Sequence, residues 1–138
     1  VVENEFNLDL NDKKLLDFSL EKIKNYCTLM DNEEIDKALK ETFKLISEIN
    51  VYIDNQAPWN LKKSDKFRMN IVLSVSIELI KRSTFLLFPI MPSSCLKVFN
   101  ILNLDFYQFN FHNFTILPEE KSYLNKVYPI FPRIDFND

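Results

Sequence analysis

At 138 residues, with 46% hydrophobic and 27% charged content, the chain has the composition of one globular domain that can bury most of its apolar surface. Neither disorder nor fibre is indicated, and a net charge of −3 argues against a protein that holds nucleic acid by bulk electrostatics, so any RNA contact must be local. Cys27, Cys95 and His112 have no ligand-like spacing, which leaves neither a zinc site nor a disulfide framework and fits a reduced, cytoplasmic setting.

The sequence contains no glycine, where ordinary usage of about 7% would give roughly ten. Asn, Lys, Ile and Phe are plentiful instead, the bias of an AT-rich genome, and left-handed turn positions are expected to fall to Asn or Asp. The opening Val1-Val2-Glu3-Asn4 has no initiator Met and no signal-like segment, and is read as the start of a fragment of something longer.

Taken in order, the residues from Asn11 or Asp12 to Met30 predict a first helix, because Leu16, Leu20, Ile23, Cys27 and Met30 recur on one face. Asn11 or Asp12 would cap it. Asp31-Asn32-Glu33-Glu34 then reads as a solvated turn and a new helix start, with Asp31 and Glu34 at capping-box spacing. The second helix, about Glu33 to Gln56, aligns Ile35, Leu39, Phe43, Ile46, Ile49 or Asn50, and Ile53, and Pro58 with its restriction on Ala57 ends it.

Ser64 is expected to cap a third helix, about Asp65 to Phe88, apolar around most of its circumference and therefore central. Its most apolar stretch, Met69 to Met91, carries Asn70, Ser74, Ser76, Glu78, Lys81 and Arg82, too many polar groups for a bilayer-spanning helix. Glu78 with Lys81 and Arg82 reads as ordinary surface pairing at i,i+3 and i,i+4. Pro89 and Pro92 break this helix, and Ser93 would cap a short fourth one through about Leu102. The fold expected is all-α, an antiparallel helix bundle over residues 1–104, with residues 105–138 an aromatic and proline-rich tail laid over it in extended form. Tyr107, Phe109 and Phe111 alternate with polar residues there.

No complete catalytic site is expected. Without glycine there is no Walker or dinucleotide phosphate loop. A nucleophile would have to recruit His112, which reads as a hydrogen-bonded or exposed imidazole. The end of the second helix differs, because Asn50 and Asp54, four residues apart, project from one face, and Pro58 and the sole tryptophan, Trp59, follow. An indole can stack on a base, an amide can meet a base edge and an acid can accept from an amino group or repel a wrong base. Lys62, Lys63, Lys66 and Arg68 add a local positive patch for phosphates. Composition alone also permits a core tryptophan and solvated lysines.

Asn50 to Trp59 resembles the Asn-x-Tyr-(Ile/Val)-(Asp/Glu)-x-Gln-Ala-Pro-Trp signature of methionyl-tRNA synthetases. Leu87 to Pro92 is similar to the family's Pro-(Ile/Val)-(Met/Leu)-Pro helix end, and Pro129 to Asp135 to its terminal Pro-Leu-Phe-Pro-Arg-Ile-Glu. The resemblance runs from about Leu15 to Asp135 and implies a helical domain that reads the CAU anticodon of methionine tRNA. By position it implies that Trp59 stacks on an anticodon base, that Pro58 shapes the loop, and that Asn50 and Asp54 line the pocket. It further implies ATP in a catalytic domain of the same parent chain, with no cofactor in this piece, because the class I histidine and lysine motifs are missing. The family's Asn-Leu-x-x-Arg helix would precede Leu15, so one wall of the bundle and part of the base-reading surface are expected to be absent, exposing an apolar stripe. The alternatives are the equivalent domain of another class I synthetase and a helical protein-interaction module in which Trp59 and the tail aromatics dock a partner.

Overall fold

The first helix, α1 (Leu10–Asp31), opens on a reciprocal cap: the Asp9 side chain accepts from the Asp12 backbone while the Asp12 side chain accepts from the Asp9 backbone. Asp9, not Asn11 or Asp12, is the cap, and Asp12 is the third residue of the first turn, fully buried. These details come from a computed structural model that describes residues 7–111 and 124–134. Helix α1 ends in a Schellman turn, with Glu33 N–H donating to Met30 and Glu34 N–H to Leu29. The expected Asp31–Glu34 capping box does not form, since Glu34 caps α2 without a side-chain bond and instead pairs with Lys37.

Helix α2 (Ile35–Gln56) returns antiparallel to α1, as a connection this short requires. It buries Ala38, Thr42, Leu45, Ile49 and Tyr52. That stripe shares Ile49 with the one expected from Ile35, Leu39, Phe43, Ile46, Ile49 or Asn50, and Ile53, but is otherwise shifted beside it, leaving Ile35 and Phe43 exposed. In α1 likewise the inward face is Leu15, Leu16, Ser19, Ile23 and Tyr26, leaving Leu20 outside. Both helices carry a wider apolar arc than one neighbour covers, and the packing chose between overlapping stripes.

After Ala57, where the sequence predicts a loop, comes a short helix, α3 (Pro58–Ser64), followed by α4 (Lys66–Leu87). Asp65, not Ser64, caps α4, accepting from the Arg68 N–H at 2.9 Å. Helices α1, α2 and α4, each 22 residues and thus about 33 Å long, pack together around Leu16, Leu45, Val72, Val75 and Leu79. Glu78 and Arg82 are not a surface pair. Both are buried in α4, and Arg82 reaches Ser19 Oγ at 2.7 Å and the Leu16 carbonyl at 3.4 Å. Among the described residues no buried side-chain nitrogen or oxygen lacks a hydrogen-bond partner, as a stable polar inclusion requires.

Pro92 does not end a helix but begins one, α5 (Pro92–Ile101), where its fixed φ and missing N–H fit the first position. The alternating strand expected at Tyr107 to Phe111 does not form. A 3-10 turn at Phe106–Gln108 instead puts the Phe106 ring on Phe88, centroids 3.9 Å apart, and edge-on to Phe99. Phe109 meets Phe99 edge-on and lies 5.2 Å from the Lys81 ammonium. Residues 124–134 carry no regular element, and Asn125 ties them to α5 through the carbonyls of Asn100 and Ile101. His112 and Pro118 lie outside the described residues. The architecture is an all-α antiparallel bundle, with no helix among the described residues long and apolar enough to cross a membrane.

Candidate nucleic-acid interface

Ala57 is the joint on which the site turns. Its N–H still donates to Ile53 at 2.9 Å, closing α2, but its backbone sits in the left-handed region at φ 43° and ψ 61°. Pro58 prevents Ala57 from continuing in helical conformation, and then supplies the first residue of α3. The sequence leads one to expect Asn or Asp at left-handed positions; of Glu33, Ala57 and Asn103, the residues with positive φ among the described residues, only Asn103 conforms. Glu33 and Asn103 occupy Schellman positions, where two backbone bonds enforce the geometry.

Within α3, Leu61 packs against the core. Trp59 lies two residues earlier, about 200° around the helix, so anchoring Leu61 turns the indole outward. The Trp59 side is 58% exposed. The same geometry governs α2: Tyr52 is buried, so Asn50 and Asp54, each two residues from it, face solvent, while Pro58 is half-buried. Lys62, Lys63 and Lys66 are exposed, and no ion pair holds them among the described residues. In contrast, Lys37, Lys40 and Lys44 on α2 are each paired with an acid.

Arg68 departs from the expected phosphate patch. Its guanidinium clasps Asp12 bidentately, at 2.5 and 2.8 Å, and also meets Gln56 Oε1 at 2.7 Å and Asp9 Oδ2 at 2.9 Å. Tyr52 Oη donates to the same Asp12 carboxylate at 2.7 Å. Planar guanidinium and carboxylate match in this fork, so Arg68 is committed to the protein and is corrected from phosphate ligand to structural clasp. Burial pushes the Asp12 carboxyl upward, but hydrogen bonds from Arg68 and Tyr52 outweigh it and hold the group below the usual carboxylate range. Burial, and then the hydrogen bond to Asp12, drive the Tyr52 phenol well above its ordinary value. Sequence reasoning missed Asp9, Asp12, Tyr52 and Gln56 as one cluster. The available signal was Tyr52 and Gln56 at i,i+4 spacing, two polar groups on the inward side of an apolar helix.

A shallow groove of about 360 Å³ runs along α1 and α2 beside this cluster, lined by Lys14, Phe18, Val51, Tyr52 and Asn55 among others. Among the described residues, no group of three or more His, Cys, Asp or Glu side chains is placed to hold a metal ion. The donor set of the interface is thus an outward indole, an amide, a carboxylate and three ammonium groups, which suits stacking and hydrogen bonding to an unpaired nucleotide.

By fold the chain is a helical bundle of the class found in aminoacyl-tRNA synthetases. The crystal structure of the free Mycobacterium tuberculosis methionyl-tRNA synthetase superposes with a TM-score of 0.86, covering 94% of this chain and 27% of that one at 23% identity. The same enzyme in complex with methionyl-adenylate gives 0.85, covering 92% and 26% at 24% identity. The family model for the anticodon binding domain of methionyl tRNA ligase matches residues 5–120, and the chain belongs to that family. The methionine–tRNA ligase of Rickettsia conorii is 42% identical over 77 residues, 56% of this chain and 15% of that protein. That of Lactococcus lactis is 36% identical over 121 residues, 86% of this chain and 18% of that protein. The chain therefore spans less than a fifth of the length of these curated relatives.

Proposed function

We propose that this domain reads the CAU anticodon of methionine tRNA on behalf of a methionine–tRNA ligase, with Trp59 stacking on an anticodon base. Asn50 and Asp54 meet base edges, Pro58 sets the turn, and Lys62, Lys63 and Lys66 neutralise neighbouring phosphates. The observation that carries this reading is the exposed face of Trp59, held outward by Leu61 at a helix junction. A core tryptophan would be sealed, as Phe99 is at 1% exposure.

The chain has no glycine with which to build a Walker or dinucleotide phosphate loop, and ATP binding and amino-acid activation are assigned to a catalytic domain of the parent protein. That domain is the second proposed partner, after the tRNA anticodon loop. Phe43 on α2 and Leu73 on α4 are exposed apolar residues that further parent sequence would cover. Cys27 and Cys95 are free thiols, which suits a reducing cytoplasm.

The test is Trp59→Ala in the full encoded protein that carries this chain, assayed against methionine tRNA with CAU and with altered anticodons. Loss of about 1–3 kcal/mol for CAU, with discrimination collapsing, is expected if the indole stacks. Unchanged binding and unchanged discrimination would overturn the proposal and favour a protein-docking module.

A further inference from the structure

We propose that Arg68 and Asp12 are positioning residues for Trp59: their clasp, bridged to α2 by Gln56 and Tyr52, closes the base of the α3 excursion and sets the direction of the indole. This inference rests on the stacking reading and extends it to residues that do not touch RNA.

A seven-residue helix is far below the length at which a helix holds itself in water. Helix α3 has no buried residue, and Leu61 is its partly buried apolar anchor against the core. Its joints, Ala57 at φ 43° and Asp65 at φ −150°, ψ 85°, are non-helical backbone, so α3 can pivot unless its ends are held. Arg68 holds both. Its backbone N–H donates to the Asp65 side chain at 2.9 Å, fixing the distal joint, while its guanidinium donates to Gln56 at 2.7 Å, next to the proximal joint.

Asp12 keeps Arg68 in that position. The carboxylate is fully buried at the start of α1 and accepts two bonds from Arg68 and one from Tyr52. Withdrawing the guanidinium would leave a buried, partly unpaired charge, which is strongly unfavourable. The arginine is therefore confined, and through it the two ends of α3 are fixed relative to α1, α2 and α4. A stacking platform whose direction is set in advance loses less ordering entropy when it meets a base.

Trp59 is the sole tryptophan of the chain, so its fluorescence reports this platform alone. In the 138-residue chain, Arg68→Met and Gln56→Ala are expected to add a fast component to the Trp59 anisotropy decay while helical circular dichroism is retained. In the full encoded protein the same variants should weaken binding of methionine tRNA by about three- to tenfold, the scale for re-ordering one side chain. Each should be non-additive with Trp59→Ala, because the clasp acts through that ring. If Arg68→Met does not fold, Gln56→Ala decides, since it removes the guanidinium's hold next to the proximal joint while leaving Arg68 and Tyr52 on Asp12. An unchanged anisotropy decay in Gln56→Ala, or affinity losses that simply add to that of Trp59→Ala, would overturn the inference. Failure of the stacking reading is separate and shows as undiminished binding by Trp59→Ala alone.

Discussion

Two charge clusters join α1 to α4, and they do different things with the same chemistry. At mid-bundle, Glu78, Lys81 and Arg82 lie on α4 itself, and Arg82 crosses to Ser19 and the Leu16 carbonyl of α1. At the rim, Arg68 and Asp12 draw in the end of α2 as well, through Tyr52 and Gln56. The first sets the register of two regular helices and presents nothing outward. The second sits where the chain leaves one helix and starts another, so its geometry reaches the exposed Trp59. A buried ion pair fixes whatever backbone its partners belong to, and only at an element boundary does that become the presentation of a surface group.

The largest expected effect lies in the mid-bundle cluster. Glu78→Ala strands Arg82, whose side chain is 3% exposed, and should lower stability by about 3–5 kcal/mol in urea denaturation, whereas replacing Glu78 and Arg82 together by Met and Leu should restore most of it. A loss under about 1 kcal/mol for the single variant would mean that Arg82 escapes to water, and the contrast would collapse. Asp12→Ala should cost less, about 2 kcal/mol, because the Arg68 side chain is already 18% exposed and can be rehydrated. It should also loosen Trp59, which Glu78→Ala should not.

Titration of the rim cluster gives the next effect. The Asp12 carboxyl is held below its ordinary 3.8, so its contribution is complete above that value and is lost as pH falls through the lower folded value. Glu41, bonded by Lys44 and Lys22, is held down to about 2 from 4.5 and acts over the same acid window. Tyr52 is raised, so its contribution is complete below 10.0 and declines as pH rises beyond it. Urea midpoints should therefore fall at both extremes. Asp12→Asn and Glu41→Gln should each flatten part of the acid limb, and Tyr52→Phe the alkaline limb.

Smaller effects follow at the joint and on the surface. Ala57→Gly relieves a left-handed alanine and should raise stability by about 0.5–1 kcal/mol, with a gain in Trp59 mobility if backbone stiffness helps to aim the ring. Lys40→Ala removes a 3.8 Å pair with Asp36 in which both side chains are 73% exposed, and thermal unfolding should register less than about 0.5 kcal/mol.

Much of the bundle was legible in the sequence because helix periodicity, proline and acidic starts act locally. The end of α2 at Gln56 follows from Pro58, and the outward pairing of Asn50 with Asp54 follows from their spacing. Less legible was which of two overlapping apolar stripes faces inward. Periodicity cannot tell Leu20, exposed, from Leu16, buried, because both fit an amphipathic face. Polar residues misled for the same reason: Glu78-x-x-Lys81-Arg82 has the spacing of a surface pair, and Arg68 stands among free lysines.

By itself the sequence determined the helical periods, the break before Pro58, the absence of any glycine-based phosphate loop and the motif that places Trp59 at a helix end. Those are properties of neighbouring residues along one backbone. Tertiary packing decided that Arg68 turns inward to Asp12, 56 positions earlier in the chain, that Glu78 and Arg82 are interior, and that Leu61 rather than Trp59 faces the core. Each of these depends on which groups three separate helices bring together, where desolvation makes an unpaired charge too costly to leave and an apolar ring acceptable only if something nearer the core has already filled the space.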